Sequence, residues 1–157
     1  MTSQHILQQL ERQPDRNYLT AQELGALNQY VGSLGERVRT YRQLREWEVN
    51  LIQGLVDQLP VEVQKDTRAL EQSIKQTILI LRYAALGMLV DDANLGHRRL
   101  EGWLPTMVTV YQTHTADVLL NRALNQQLSR LLSLSQFALL KPALESAQQL
   151  LHNTSQD

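Results

Sequence analysis

Residues 67–92, TRALEQSIKQTILILRYAALGMLVDD, constrain the fold more than any other stretch of the chain. Leu70, Ile74, Ile78, Leu81, Ala85 and Leu89 recur at steps of three or four. That spacing draws one continuous helical face, about seven turns long at 3.6 residues per turn. From Ile78 to Val90 the helix is apolar almost all round, interrupted only by Arg82. A surface helix needs a single apolar stripe, so this half calls for neighbouring helices around it. The run is too short, and at Arg82 too charged, to cross a bilayer, which takes about 20 apolar residues. It predicts the central helix of an all-α fold.

The rest of the chain agrees with that reading. At 157 residues it predicts one domain over 1–157, with an N-terminal helix and turn (1–20), a helical bundle (21–151) and a frayed tail (152–157). Residues 3–13 predict a first helix with Ile6, Leu7 and Leu10 on its apolar side, and 14–17 a turn. Thr20 and Glu23 have capping-box spacing, so a helix starts at Ala21. Its stripe runs through Leu24, Leu27, Val31, Leu34, Val38 and Tyr41, then Leu44 to Leu59, and stops at Pro60. Gly32 and Gly35 within it suggest close packing, a bend or a break. A turn over 60–66 leads to the central helix. A shorter helix follows at 98–103, Pro105 falls in the first turn of the next, apolar spacing returns at Val108 and Tyr111 and again from Val118 to Leu132, and Pro142 opens a last helix through Leu151. The total is seven or eight helices.

Composition excludes several function classes. Fifteen basic against sixteen acidic residues leave no excess positive charge for non-specific nucleic-acid binding. The chain has no cysteine, so it offers no disulfide, thiolate nucleophile, thiolate metal site or thioether attachment point. The polar start MTSQHILQQLERQ lacks a signal peptide's apolar core, which points to the cytoplasm. No catalytic triad order, phosphate-cradling loop or carboxylate pair can be assigned, so an enzyme is disfavoured.

Two stretches carry a resemblance. Tyr18-Leu-Thr20, Glu23-Leu24 and 35–39 (GERVR) resemble the N-terminal region of the phycobiliproteins, the light-harvesting proteins of phycobilisomes. Residues 80–83 (ILRY), followed by Asp92, Ala93, Arg99 and Gly102, are similar to a second segment of that family. The resemblance implies a globin-like bundle preceded by extra N-terminal helices used in subunit pairing. It also implies pigment attachment through a Cys-x-Arg-Asp motif nine residues before the arginine matched by Arg82. Here that motif reads Ser73-Ile74-Lys75-Gln76. A serine hydroxyl does not readily replace a thiol in adding to a pigment. Lys75 lacks the bidentate fork of arginine, and Gln76 offers a neutral carbonyl in place of a carboxylate. No covalent bilin is expected. The family's glycine before aspartate is Asp91, and the acidic residue that pairs across subunits is Gln13.

The resemblance therefore implies a non-pigmented binding, assembly or regulatory factor. Its partners would be phycobilisome or photosystem proteins, at the cytoplasmic face of the thylakoid membrane. Pairing would be a homo- or hetero-dimer through the N-terminal helices, with Leu7, Leu10, Tyr18 and Leu24 as contacts. The alternative is a sensor or carrier that holds bilin, haem or another apolar ligand non-covalently, with Arg82 as a ligand or structural contact. His97 and His114 are the candidate haem ligands, against the commoner reading of solvated helix-end histidines. Arg37, Arg39, Arg42 and Arg45, set among Glu36, Glu46 and Glu48, read as a solvated helix laced with weak ion pairs rather than a basic docking face.

Overall fold

The computed structural model describes residues 2–12 and 18–152, with eight helices and no strand among them. They are α1 (Ser3–Arg12), α2 (Ala21–Asp57), α3 (Val61–Lys65), α4 (Thr67–Leu89), α5 (Leu95–Leu100), α6 (Leu104–Tyr111), α7 (His114–Leu131) and α8 (Leu134–His152). Gln13, the expected turn at 14–17 and most of the expected tail (153–157) lie outside the described residues.

Local chemistry explains the ends that frame the core. Thr20 and Glu23 form the reciprocal capping box: the Thr20 N–H donates to Glu23 at 2.7 Å, and the Glu23 N–H to the Thr20 hydroxyl at 3.2 Å. From there α2 runs unbroken for 37 residues, about 55 Å at 1.5 Å per residue. Gly32 and Gly35 do not break it. Both face open space, so they cost helix propensity and nothing in packing. Asp66 caps α4 by accepting the Ala69 N–H at 3.2 Å.

The C terminus of α4 is a Schellman turn. The Asp92 N–H donates to the Gly87 carbonyl at 2.8 Å and the Asp91 N–H to Met88 at 3.3 Å. Asp91 adopts φ 55°, the left-handed conformation that glycine usually supplies. Gly87 has a separate steric role, since a Cβ there would lie 2.6 Å from the Asp92 carbonyl oxygen.

Three sequence expectations are corrected. The segment between α2 and α4 contains a short helix, α3, that begins directly after Pro60. The fifth helix begins at Leu95, ahead of the expected Arg98, which buries Gly96 against Tyr83 and Ala147. Pro142 does not open the last helix but lies inside α8. A proline there removes one backbone hydrogen bond to Ala138, yet both residues are exposed and water can take the freed carbonyl. Buried Leu140, Ala143 and Leu144 hold the helix together across it.

Helix α4 packs against α2, α5, α7 and α8. The core around it includes Leu44, Leu55, Ile80, Met88, Leu104, Leu124 and Leu140. Full burial of each such large side chain favours folding by roughly 1.5–3 kcal/mol. Trp47, Trp103 and Tyr41 are half-buried and pack against this core. The expected apolar stripe of α4 is buried at Leu81 and Ala85 but is not the innermost line of the helix's first half. Leu70, Ile74 and Ile78 are half-buried, whereas Ala69, Ser73, Gln76, Thr77, Ile80 and Ala84 are buried. The expected enclosure is also incomplete, because Arg82 and Leu86 face outward.

Candidate functional site

The first half of α4 turns polar residues into the core, and α7 meets them with its own. Thr113, Asp117, Asn121 and Asn125 stand four residues apart, which aligns them on one face of α7 and its first turn. Ser73, Gln76, Thr77, Thr113 and Asp117 are all at most 1% exposed. A buried polar group needs a partner, and here each supplies another's.

Asp117 is the hub. Ser73 donates its hydroxyl to Oδ1 at 2.5 Å, and Thr113 donates to Oδ2 at 2.6 Å. The Gln76 side-chain amide lies 3.0 Å from each carboxyl oxygen and 3.0 Å from the Thr113 hydroxyl. Gln76 in turn accepts from Gln72 at 3.1 Å. Asn121 donates to the Asp117 carbonyl at 2.9 Å and accepts from Gln148 of α8 at 3.2 Å. Asn125 and Gln148 then exchange bonds at 3.1 and 2.9 Å. The seam thus joins three helices.

Burial pushes the Asp117 carboxyl above its ordinary value. Hydrogen bonds from Ser73, Thr113 and Gln76, and the nearby His114, oppose that shift without cancelling it. Ser73 donates straight to a carboxylate, with no imidazole between them and both groups closed to solvent. That arrangement does not activate a nucleophile.

The residues singled out in sequence separate in space. Ser73 and Gln76 come together in the seam, but Lys75 points outward and pairs with Glu71 at 3.1 Å on the surface. Arg82 is also at the surface and grips Glu48 of α2 with two bonds, of 2.7 and 2.9 Å. The Glu48 side chain is only 14% exposed, and the hydrogen bond from Arg82 holds its carboxyl below the usual range. Beside this pair runs an apolar groove of about 340 Å³ between α2 and α4, lined by Ile52, Val56, Ile74 and Ile78.

His97 contacts the Ser146 carbonyl at 3.1 Å and Glu101 at 3.5 Å. His114 buries its Nδ1 without a hydrogen bond. Among the arginines of α2, Arg39 pairs with Glu36 at 2.6 Å on the surface. Arg37 departs from the solvated reading: its side chain is 12% exposed and turns onto the C terminus of α4. Leu7, Tyr18 and Leu24 are exposed and Leu10 is half-buried. Among the described residues, no group of histidines and carboxylates could hold a metal, and no helix is long and apolar enough to cross a membrane.

A family model described as "Phycobilisome protein" matches residues 11–151. The chain belongs to the phycobilisome protein family. Its helices accordingly form the globin-like all-α fold of that family. Comparison with curated proteins and with solved structures finds no match. The matched segment of this phycobilisome protein runs from the end of α1 to the end of α8, so it contains the whole polar seam. A bilin held covalently at position 73 does not fit these residues. The chain has no thiol, the Ser73 hydroxyl is engaged by Asp117, and the Gln76 amide donates into the protein.

Asp117, Thr113 and Asn121 had no place in the sequence reading. Their signal was the four-residue polar step within α7, matched by the Ser73–Thr77 step in α4.

Proposed function

We propose that this chain is a pigment-free phycobilisome protein that works by binding, as an assembly or regulatory factor for phycobilisome or photosystem components. The observation that carries the reading is the closed seam at Ser73, Gln76 and Asp117. Where the resemblance leads one to look for a pigment, the side chains bond to one another. On this reading Ser73, Lys75 and Gln76 are a dismantled attachment site, and what remains for function is the surface.

The N-terminal half of α2 supplies a fitting surface. Leu24 is 51% and Val31 65% exposed, and Leu34 continues the same helical face. An apolar stripe left open in this way suits a helical partner. With Leu7, Leu10 and Tyr18 it forms the proposed contact region, through which the chain would pair as a homo- or hetero-dimer. Work at the cytoplasmic face of the thylakoid membrane follows from such partners. Affinity isolation from a photosynthetic cell tests this. Recovery of antenna or reaction-centre subunits, reduced by Leu24→Asp with Val31→Asp, is expected. Isolation that never recovers them overturns the reading.

The second reading, a carrier of a non-covalent apolar ligand, draws on the open groove beside Arg82 rather than on the seam. There Ile52, Val56, Ile74 and Ile78 offer an apolar wall and Arg82 a cation at its edge.

A further inference from the structure

The C terminus of α4 gathers contacts from two other helices. Asp91 Oδ2 accepts both the backbone N–H of Ser3, at 3.2 Å, and its hydroxyl, at 3.0 Å. Asp91 Oδ1 faces Arg37 at 3.4 Å. Gln4 donates to the Val90 carbonyl at 3.2 Å, Tyr30 to Leu89 at 3.0 Å, and Arg37 to Met88. The Arg37 guanidinium also lies 5.5 Å from the Tyr30 ring centre. Tyr30 and Arg37 satisfy α4 carbonyls from α2, while from α1 Gln4 satisfies the Val90 carbonyl just past α4 and Ser3 bonds the Asp91 carboxylate.

Helix α1 depends on these contacts more than α4 does. At ten residues it is shorter than an isolated helix that holds in water. Only Ser3 and Ile6 are buried in it, and Ile6 lies outside the main core. Of the two residues that bond it to α4, Ser3 relies wholly on the Asp91 carboxylate. That carboxylate stands at a left-handed position that a glycine would occupy without strain.

We infer that α1 is a detachable clip, locked onto its own bundle by Asp91, and that it lifts as a unit while α2 and α4 stay folded. Docked, the clip buries Ile6 and covers the corner between α2 and the end of α4. Lifted, it frees Ile6 and Leu10 and uncovers the part of α2 on which it packs. The lock is a property of the chain alone. Its consequence, control over the proposed partner surface, rests on the binding reading above.

Hydrogen exchange read by mass spectrometry on the full chain tests the lock. Asp91→Gly suits the φ of 55° and removes the acceptor. It is expected to speed exchange in α1 about tenfold or more, with α4 upstream of Gly87 unchanged. Ser3→Ala keeps the carboxylate and removes one donor, so a smaller acceleration confined to α1 is expected. Unchanged exchange of α1 in both variants overturns the inference. So does acceleration of α1 and α4 together, since the clip would then be part of one cooperative unit. Exchange is measured on the purified protein, so its result is independent of whether any antenna partner is recovered.

Discussion

Replacing Asp117 by alanine is the most informative single perturbation of the buried seam. It leaves the Ser73 and Thr113 hydroxyls without their acceptor and the Gln76 amide with Thr113 alone, all closed to solvent. A buried donor left unpaired costs about 1–3 kcal/mol, which for two hydroxyls and a half-satisfied amide sums to roughly 3–6 kcal/mol. Release of the buried carboxyl from its desolvation opposes this, as its raised pKa indicates. The expected net loss is about 2–4 kcal/mol. For a chain of this size that lowers Tm by roughly 5–15 °C. Denaturant unfolding followed by far-ultraviolet circular dichroism measures it.

Asp117→Asn separates charge from shape. Ser73 and Thr113 sit on different carboxyl oxygens, so one hydroxyl keeps donating to the amide oxygen while the other turns to accept from the amide N–H, and a smaller loss of about 1–2 kcal/mol is expected near neutrality. The folded wild-type carboxyl titrates above its unfolded value, so the fold binds that proton more tightly than the unfolded chain does. The stability this supplies is full below the unfolded value and is lost as pH rises through the raised folded one. The gap between wild type and Asp117→Asn therefore narrows as pH rises through that window. An alanine variant within about 0.5 kcal/mol of wild type, or a gap that widens with pH, would refute the reasoning.

Two further outcomes follow from the same geometry. Ser73→Cys places the chain's sole thiol at a position that is fully buried; a disulfide reagent is expected to modify it at least tenfold more slowly in the folded than in the denatured protein, and equal rates would show the seam to be open. Gly87→Ala drives a Cβ against the Asp92 backbone oxygen at 2.6 Å, so a loss of about 1–3 kcal/mol in thermal or denaturant unfolding is expected, and an unchanged midpoint would contradict the close approach.

The helices were legible in the sequence because their signals are local. Thr20 and Glu23 announce the start of α2, and the three-and-four spacing of α4 needs no tertiary information. Pro142 misled because the cost of a proline inside a helix is decided by the core that α8 buries on either side of it. The seam was half legible. Ser73 and Gln76 stood out through the resemblance, but as lost chemistry rather than as partners. Their neighbour Asp117 lies 44 residues from Ser73, and no rule of spacing within one helix links them. Arg82 shows the same limit, since its partner Glu48 is 34 residues away on α2. Hydropathy also misranked the first half of α4. Residues such as Ile74 look more buried than Ser73 until α7 arrives with donors and acceptors that let the polar side go inward.

In the proposed function the seam takes the place of a pigment. The measurement that tests this most directly is an absorption spectrum of the protein purified from a host making both bilin and haem, with a denatured aliquot alongside. A colourless, folded protein is the predicted result. A pigment band that survives denaturation would contradict the account at Ser73, and a band lost on denaturation would give first place to the carrier reading.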